Sequence, residues 1–466
     1  MPRIAVLRDR LPFARVRIAL GPVAGRMALA SLLLSAVALV LFSTSGPSIL
    51  VPRSNEVFPG WEAGPLHLLS AGLPRSVYTL DYGLSVILVV MTLGYFVAIA
   101  SARTLSMRLI VGCIVALHVI LLMGPSMQLT DLFNYLGYAR LGGLHGLNPY
   151  THVIAKELYD PAYRFSTWHR LQSPYGPLFT ALTYLLPLGS LSLSYWLIKT
   201  FTVLASLGFL AIVWHCAKVL GRDPRFVLVF VAFNPIYLVY AIGGFHNDFF
   251  MLIPSMAAIA FLLARRDRSA GAVLMLAVGV KFTAILLLPF LLVAVRPSRE
   301  RMRRILEGAV LGAIPLIALS LALFGLSLPN LQDQSTLLTD YSIPNTIGLI
   351  IGGGGTPTLL RILDVAAVAA VLWLLWRPGD WISRAGWATL ALLVTLAWLM
   401  PWYVIWVAPL AALGSSVRLR RATIVFTLFL VITFLPAFSI YLQKQGINPL
   451  ATPAGAASSK LMHKLT

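Results

Sequence analysis

Residues 77–100 read VYTLDYGLSVILVVMTLGYFVAIA. As a helix rising 1.5 Å per residue this stretch exceeds the roughly 30 Å of a bilayer's hydrocarbon, and it carries one acid, no base and no proline. A turn holding Arg103 and Arg108 follows, the basic flank expected on the cytoplasmic side of a span. Apolar stretches of similar character recur along the whole chain. Of the 466 residues, 59% are hydrophobic and only 11% charged, too few polar groups for a soluble surface. The predicted fold is an all-α polytopic membrane protein with about 12–14 transmembrane segments and no separate soluble domain.

The formal charge of +20 does not point to nucleic acid. The Lys and Arg fall in short clusters between apolar runs, as topology in a lipid membrane requires. Cys113 and Cys216 both sit in apolar runs, which suits core packing better than a disulfide or a metal site.

Charge and turn signals divide the chain. Residues 1–26, with Arg3, Arg8, Arg10, Arg15, Arg17 and Arg26, read as a basic cytoplasmic N-terminus ahead of a retained first span. Residues 27–124 read as N-terminal transmembrane helices, 125–176 as an extracytoplasmic loop, and 177–450 as a transmembrane bundle with an outer loop at about 325–358. Residues 451–466, small and polar, read as a flexible tail. If 177–191 spanned the membrane, every later basic cluster would fall outside, so that element is expected to be short, broken or re-entrant.

The outer loop contains TDLFNYLGYARLGGLHGLNPY at 130–150. Thr130 is placed to cap a helix starting at Asp131, with Gly142 and Gly143 to end it. Asp131, Tyr135 and Tyr138 then share a face. A carboxylate at a helix N-terminus favours its ionised form, which suits a general base; the plainer reading is an acid that only starts the helix.

That stretch resembles the first large extracytoplasmic loop of bacterial GT-C glycosyltransferases: an Asp, an aromatic-rich helix, an Ala-Arg pair and then NPY. SPYGPLF at 173–179, GGFHNDFFML at 243–252, VKFTAILLLPFLL at 280–292 and WLMPWYVIWVAPL at 398–410 follow in the order of the polyprenol-phosphomannose-dependent α-1,6-mannosyltransferases. The resemblance spans roughly residues 100–415 and departs at Tyr138-Ala139-Arg140, where many relatives carry a second acid or Gly before the Arg. It implies transfer of a sugar, most like mannose, from a polyprenyl-phosphate donor to a glycan or lipoglycan acceptor at the outer face of a bacterial plasma membrane, with α-1,6 linkage. It makes Asp131 the catalytic base and Tyr135, Arg140, Asn148, Tyr150, Tyr175, His246, Asn247, Asp248, Lys281, Trp402 and Tyr403 candidates for substrate binding.

The residues themselves allow more than one role. Lys281 interrupts a long apolar run with no acid nearby in sequence, so it binds a phosphate, pairs at a distance or snorkels. Asn247 or Asp248 hydrogen-bonds a sugar or merely caps the following helix. Trp402, Tyr403 and Trp406 stack on a ligand or belong to the interfacial aromatic belt. Asp333 and Asp340 lie in the outer loop 325–358. No cofactor is predicted: a divalent metal on Asp131, His246 and Asp248 stays open as an alternative, but these residues lack a recognisable metal-ligand spacing, and GGGG at 352–355 lacks the Lys-Ser/Thr of a nucleotide loop. The competing classes are transfer of another lipid-linked sugar and a lipid-linked-sugar flippase, which would need Asp81 or Asp364 inside apolar segments instead of Asp131.

Overall fold

A computed structural model of the chain describes residues 20–70, 73, 76–331 and 336–466. The arginines before residue 20 and Asp333 lie outside the described residues. Helices and loops make up the described residues, with no strand among them, and the protein is an all-α polytopic membrane protein.

Among the described residues, five helices are long and apolar enough to cross a membrane: Pro22–Thr44, Val77–Thr104, Leu191–Val219, Arg299–Phe324 and Pro357–Trp376. A sixth is broken, Val417–Thr433 meeting Pro436–Lys444 at 60°. This is fewer than the predicted 12–14 because several apolar runs become short helices instead, among them Met107–Leu122, Asp248–Leu263, Phe282–Ala294 and Pro401–Leu413. Proline, glycine or a polar site residue stands at their ends, and backbone freed there is acceptable at membrane depth only where protein shields it. The element after residue 176 is broken: Pro177–Thr183 gives way to a turn at Leu186–Leu188 before the long Leu191–Val219 helix.

Helix starts follow local chemistry. Ser76, Ser106, Ser190, Ser298, Thr356, Ser416 and Thr452 each accept from a backbone N–H three residues on, satisfying a donor that the helix itself leaves unpaired. Two sequence expectations fail for the same reason. The 451–466 tail is a helix, Pro453–Leu465, started by Thr452 and docked through Leu465 beside Leu171 and Leu337. The 325–358 loop contains a helix, Ile343–Ile351, capped by Ser342 and steadied by Asn345, which donates to Asp340 O and Pro449 O. Apolar residues at helical spacing were hidden there among small and polar ones.

One packing seam positions the site. Asp267–Val280 lies between Asp248–Leu263 and Arg299–Phe324. A Cβ at Gly271 would strike the backbone of Ile305, one at Gly308 the backbone of Arg268, and one at Gly312 the backbone of Ala272. The two helices therefore touch backbone to backbone, the arrangement small residues allow in membranes. At the start of this helix Arg301 grips buried Asp267 with two hydrogen bonds, of 2.7 and 2.8 Å. Its C-terminal end delivers Lys281.

Candidate active site

The 130–150 stretch folds into a helix, Asp131–Gly143, whose residues 132–139 are buried. Phe133 stacks between Phe165 and Tyr195, at 4.7 and 5.4 Å, fixing the helix to Leu191–Val219. Thr130 does not cap it: its hydroxyl pairs with the Asn134 side chain at 3.1 Å. Asp131 opens the first turn, and the preceding backbone is tied down by Lys199 donating to Gly124 O and by Met127 N–H donating to Gly243 O, at 2.5 and 2.9 Å.

That last bond joins the Asp131 loop to the segment that presents His246. A π-helical turn, Tyr237–Ile242, ends in Gly243-Gly244, and Phe245 takes φ +52°. A buried, bulky residue in the left-handed region costs about 1–3 kcal/mol and persists only where packing imposes it. Here it turns His246 back toward Asp131. A side chain at Gly244 would come 2.5 Å from His246 Nε2, so glycine leaves room for the ring. His246 lies flat on Trp402, ring centroids 3.5 Å apart and planes 11° apart. Its Nδ1 is 3.2 Å from Asp131 Oδ2 without the alignment of a hydrogen bond.

Asp248 is 1% exposed. Its Oδ1 accepts from Lys281 Nζ at 2.7 Å and from Trp406 Nε1 at 2.6 Å. Lys281, with a side chain 22% exposed, lies over the rings of Tyr403 and Trp406 at 5.1 and 4.9 Å. The ammonium is thus held by one carboxylate and two aromatic faces. The SPYGPLF segment pins the neighbouring backbone: Gly176 N–H donates to Val280 O at 3.1 Å, and a Cβ there would meet Val280 O at 2.7 Å.

Asp131, Tyr135, Tyr175, Asn247, Asp248, Lys281, Trp402 and Tyr403 line one cavity of about 420 Å³. Several buried polar atoms of its walls make no hydrogen bond among the described residues: Gln128 Nε2, Asn247 Nδ2 and Asp248 Oδ2, with both ring nitrogens of His246 behind them. Asn247 precedes the helix Asp248–Leu263 but makes no capping bond, so its amide is left to the cavity. Burial first, then the Asp131 carboxylate, holds the phenols of Tyr135 and Tyr175 well above the ordinary tyrosine range. Both are neutral donors there, not bases. No three His, Cys, Asp or Glu side chains among the described residues converge as a metal site would need.

The family described as "Alpha-(1->6)-mannopyranosyltransferase, N-terminal domain" matches residues 33–297, more than half of the chain, and the "MptB C-terminal domain" matches 355–462. The chain belongs to this mannopyranosyltransferase family. Alpha-(1->6)-mannopyranosyltransferase A of Mycobacterium tuberculosis is 26% identical over 287 residues, 55% of this chain and 55% of that protein. The protein of the same name from Corynebacterium glutamicum is 26% identical over 203 residues, 42% of this chain and 40% of that one. The matched region therefore spans about half the length of these curated relatives, or less. No solved structure matches the chain.

Within this mannopyranosyltransferase-family chain, four of the candidate substrate-binding residues do not line the cavity: His246, which stands behind its wall, and Arg140, Asn148 and Tyr150. Arg140 donates to Asp160 at 2.8 Å, where His145 also binds. Burial opposes the Asp160 charge, but hydrogen bonds from Arg140 and then His145 hold its carboxyl below the usual range. Asn148 donates to Phe324 O at 2.9 Å and accepts from Tyr150 N–H. The Tyr150 hydroxyl donates to Tyr175 O at 2.8 Å. The NPY motif thus fastens the loop that carries Tyr175. Conversely, Gln128, Trp168, Trp398 and Met462 line the cavity without having been singled out. Trp398 opens the WLMPWYVIW stretch and was legible by proximity; the others carry no local signal.

Proposed function

We propose that this protein transfers mannose from a polyprenyl-phosphate donor to a glycan or lipoglycan acceptor at the extracytoplasmic face, forming an α-1,6 linkage. The observation that carries the reading is one cavity presenting both an acid and an ammonium, Asp131 and Lys281, among unpaired hydrogen-bonding groups suited to sugar hydroxyls. The acceptor oxygen attacks the anomeric carbon as Asp131 takes its proton; the bond from that carbon to the phosphate oxygen breaks, and polyprenyl phosphate leaves. With a β-linked donor, one such displacement inverts to the α product. His246, held flat against Trp402 with Nδ1 3.2 Å from Asp131, would limit the orientations open to the Asp131 carboxylate. Lys281 faces the phosphate, where charge builds on the leaving group.

Beyond Lys281 a second chamber of about 260 Å³ continues, walled by Phe282, Leu360, Leu396 and Trp406. It runs beside the helix Pro357–Trp376, whose apolar window is only 6% buried. That flank supports a lipid-linked donor: the phosphate stays at Lys281 while the isoprenoid chain reaches the bilayer. Asp364, the residue a flippase would use, lies in this chamber, off the Asp131 cavity.

The test is transfer of labelled mannose from synthetic polyprenyl-phosphomannose to a mannoside by the purified full chain. Asp131→Asn lowers turnover by about 10²–10⁴-fold, the usual contribution of a general base, with donor affinity kept. An equally active variant removes the base assignment, and a wild type that binds donor but transfers nothing removes the mannosyl reading.

A further inference from the structure

A third cavity, of about 330 Å³, abuts the Asp131 cavity, and Trp398 borders this cavity, the Asp131 cavity and the lipid-facing chamber alike. The third cavity and the Asp131 cavity share Thr339, Trp398, Phe434 and Met462 as walls, whereas Lys281 belongs to the wall shared with the lipid-facing chamber. The third cavity lies in the elbow where Val417–Thr433 and Pro436–Lys444 meet at 60°. Pro436 starts the second arm, and the Phe434 carbonyl at the bend accepts from Tyr240 at 3.1 Å. The opposite side is formed by 338–341 and by Met462 of the docked C-terminal helix.

Both this cavity and the lipid-facing chamber hold a carboxylate, hydroxyls and Trp398; they differ in that Lys281 lines only the latter. Asp340 brings a carboxylate and Trp398 a flat aromatic face, while the hydroxyls of Tyr341 and Ser439 bond each other and that of Thr433 donates to its own helix, leaving their lone pairs to accept. Asp340 is exposed and, among the described residues, its carboxylate accepts only from its own backbone N–H, which leaves it open to a ligand. A carboxylate that bridges neighbouring hydroxyls, beside an aromatic ring that covers the C–H face, is what a pyranose ring needs. The mouth already occupied by Lys281 suits an anionic, lipid-linked sugar. This one offers no cation and suits a neutral glycan.

Resting on the transferase reading above, we infer that this elbow is a subsite for the acceptor: it holds the neutral hexopyranose unit next to the one whose hydroxyl reacts at Asp131. Donor and acceptor then occupy different cavities and meet at the Asp131 carboxylate. A one-sugar acceptor fills only the Asp131 cavity; a two-sugar acceptor also engages Asp340 and Trp398.

The experiment uses the full chain in detergent with synthetic polyprenyl-phosphomannose, and compares an octyl mannoside with an octyl α-1,6-linked mannose disaccharide. Asp340→Asn, and separately Ser439→Phe, which fills the elbow, raise KM for the disaccharide about tenfold, the size expected for one lost charge-assisted hydrogen bond. The rate at saturating disaccharide, the donor KM and the monosaccharide KM stay within about twofold. Disaccharide binding without donor, read by saturation-transfer NMR, weakens in parallel. Unchanged disaccharide KM in both variants, or equal shifts for the two acceptors, overturns the subsite while leaving the transferase reading intact. If the wild type transfers nothing but binds disaccharide in an Asp340-dependent way, the elbow stands as a sugar-binding site, while its acceptor role falls with the transferase reading. No disaccharide binding by the wild type overturns the subsite.

Discussion

Replacing Lys281 by Met separates the two duties its position suggests, holding Asp248 and holding a phosphate. The substitution leaves the Asp248 carboxylate, 1% exposed, with Trp406 Nε1 on one oxygen and no partner on the other. Removing one member of a buried ion pair costs about 3–5 kcal/mol, because the remaining charge stays buried without compensation. The double variant Lys281→Met/Asp248→Asn replaces that charge by an amide whose oxygen still accepts from Trp406, and should recover all but about 1 kcal/mol. Denaturant unfolding of the detergent-solubilised chain therefore ranks wild type and double variant together, with the single variant well below. Donor affinity ranks differently: the restored double variant binds polyprenyl-phosphomannose at least about tenfold more weakly, since its ammonium is gone. A single variant as stable as wild type, or a double variant no better than the single, refutes the buried-pair argument. A double variant with wild-type donor affinity refutes the phosphate role alone.

Three further outcomes follow from other parts of the fold. Glu62, 1% exposed, has no partner for either carboxylate oxygen among the described residues, and burial, opposed by the Lys199 charge, pushes its carboxyl up to about 8. The unfolded chain ionises first, so this group's contribution is full below the ordinary carboxylate pKa and is lost as pH rises toward about 8; Glu62→Gln flattens that slope in unfolding midpoints taken across the interval. Gly308→Leu drives a side chain into the Arg268 backbone, destabilises the chain by about 1–3 kcal/mol, and lowers donor affinity by displacing Lys281; a midpoint unchanged from wild type contradicts the seam. Tyr159, 101% exposed, lies in the segment between the Asp131 helix and Tyr175, whereas Cys113 and Cys216 are buried; Tyr159→Cys in intact cells reacts with a membrane-impermeant maleimide if the Asp131 side faces outward, and labelling only after permeabilisation rejects that orientation.

What the sequence revealed depended on how local the signal was. The helix from Asp131 was readable from its acid, aromatics and terminal glycines, and its bounds, Asp131–Gly143, agree with that reading. Its cap was misread because the Thr130 hydroxyl turns to Asn134, a choice made by packing. The long apolar helices were plain, whereas the short ones were not: hydrophobicity reports burial, and burial in protein reads like burial in lipid. The Asp248–Lys281 bond joins residues distant in sequence, so neither could name the other. Arg140, Asn148 and Tyr150 carry side chains common in sugar sites, and only their partners reveal that they brace the loop. The C-terminal helix was hidden by its small residues, because Leu461, Met462 and Leu465 gain their meaning only against Leu171 and Leu337.

The glycine seam makes the helix Asp267–Val280 a measuring rod. Arg301 clamps its first residue, backbone contact at Gly271, Gly308 and Gly312 forbids it to slide, and Lys281 stands immediately after its last turn. The depth of the ammonium is therefore set by the count of fourteen residues between clamp and tip. Inserting or deleting one residue would turn that tip by about 100° and shift it by about 1.5 Å, taking Lys281 out of register with Asp248 even though every site residue remained in the chain.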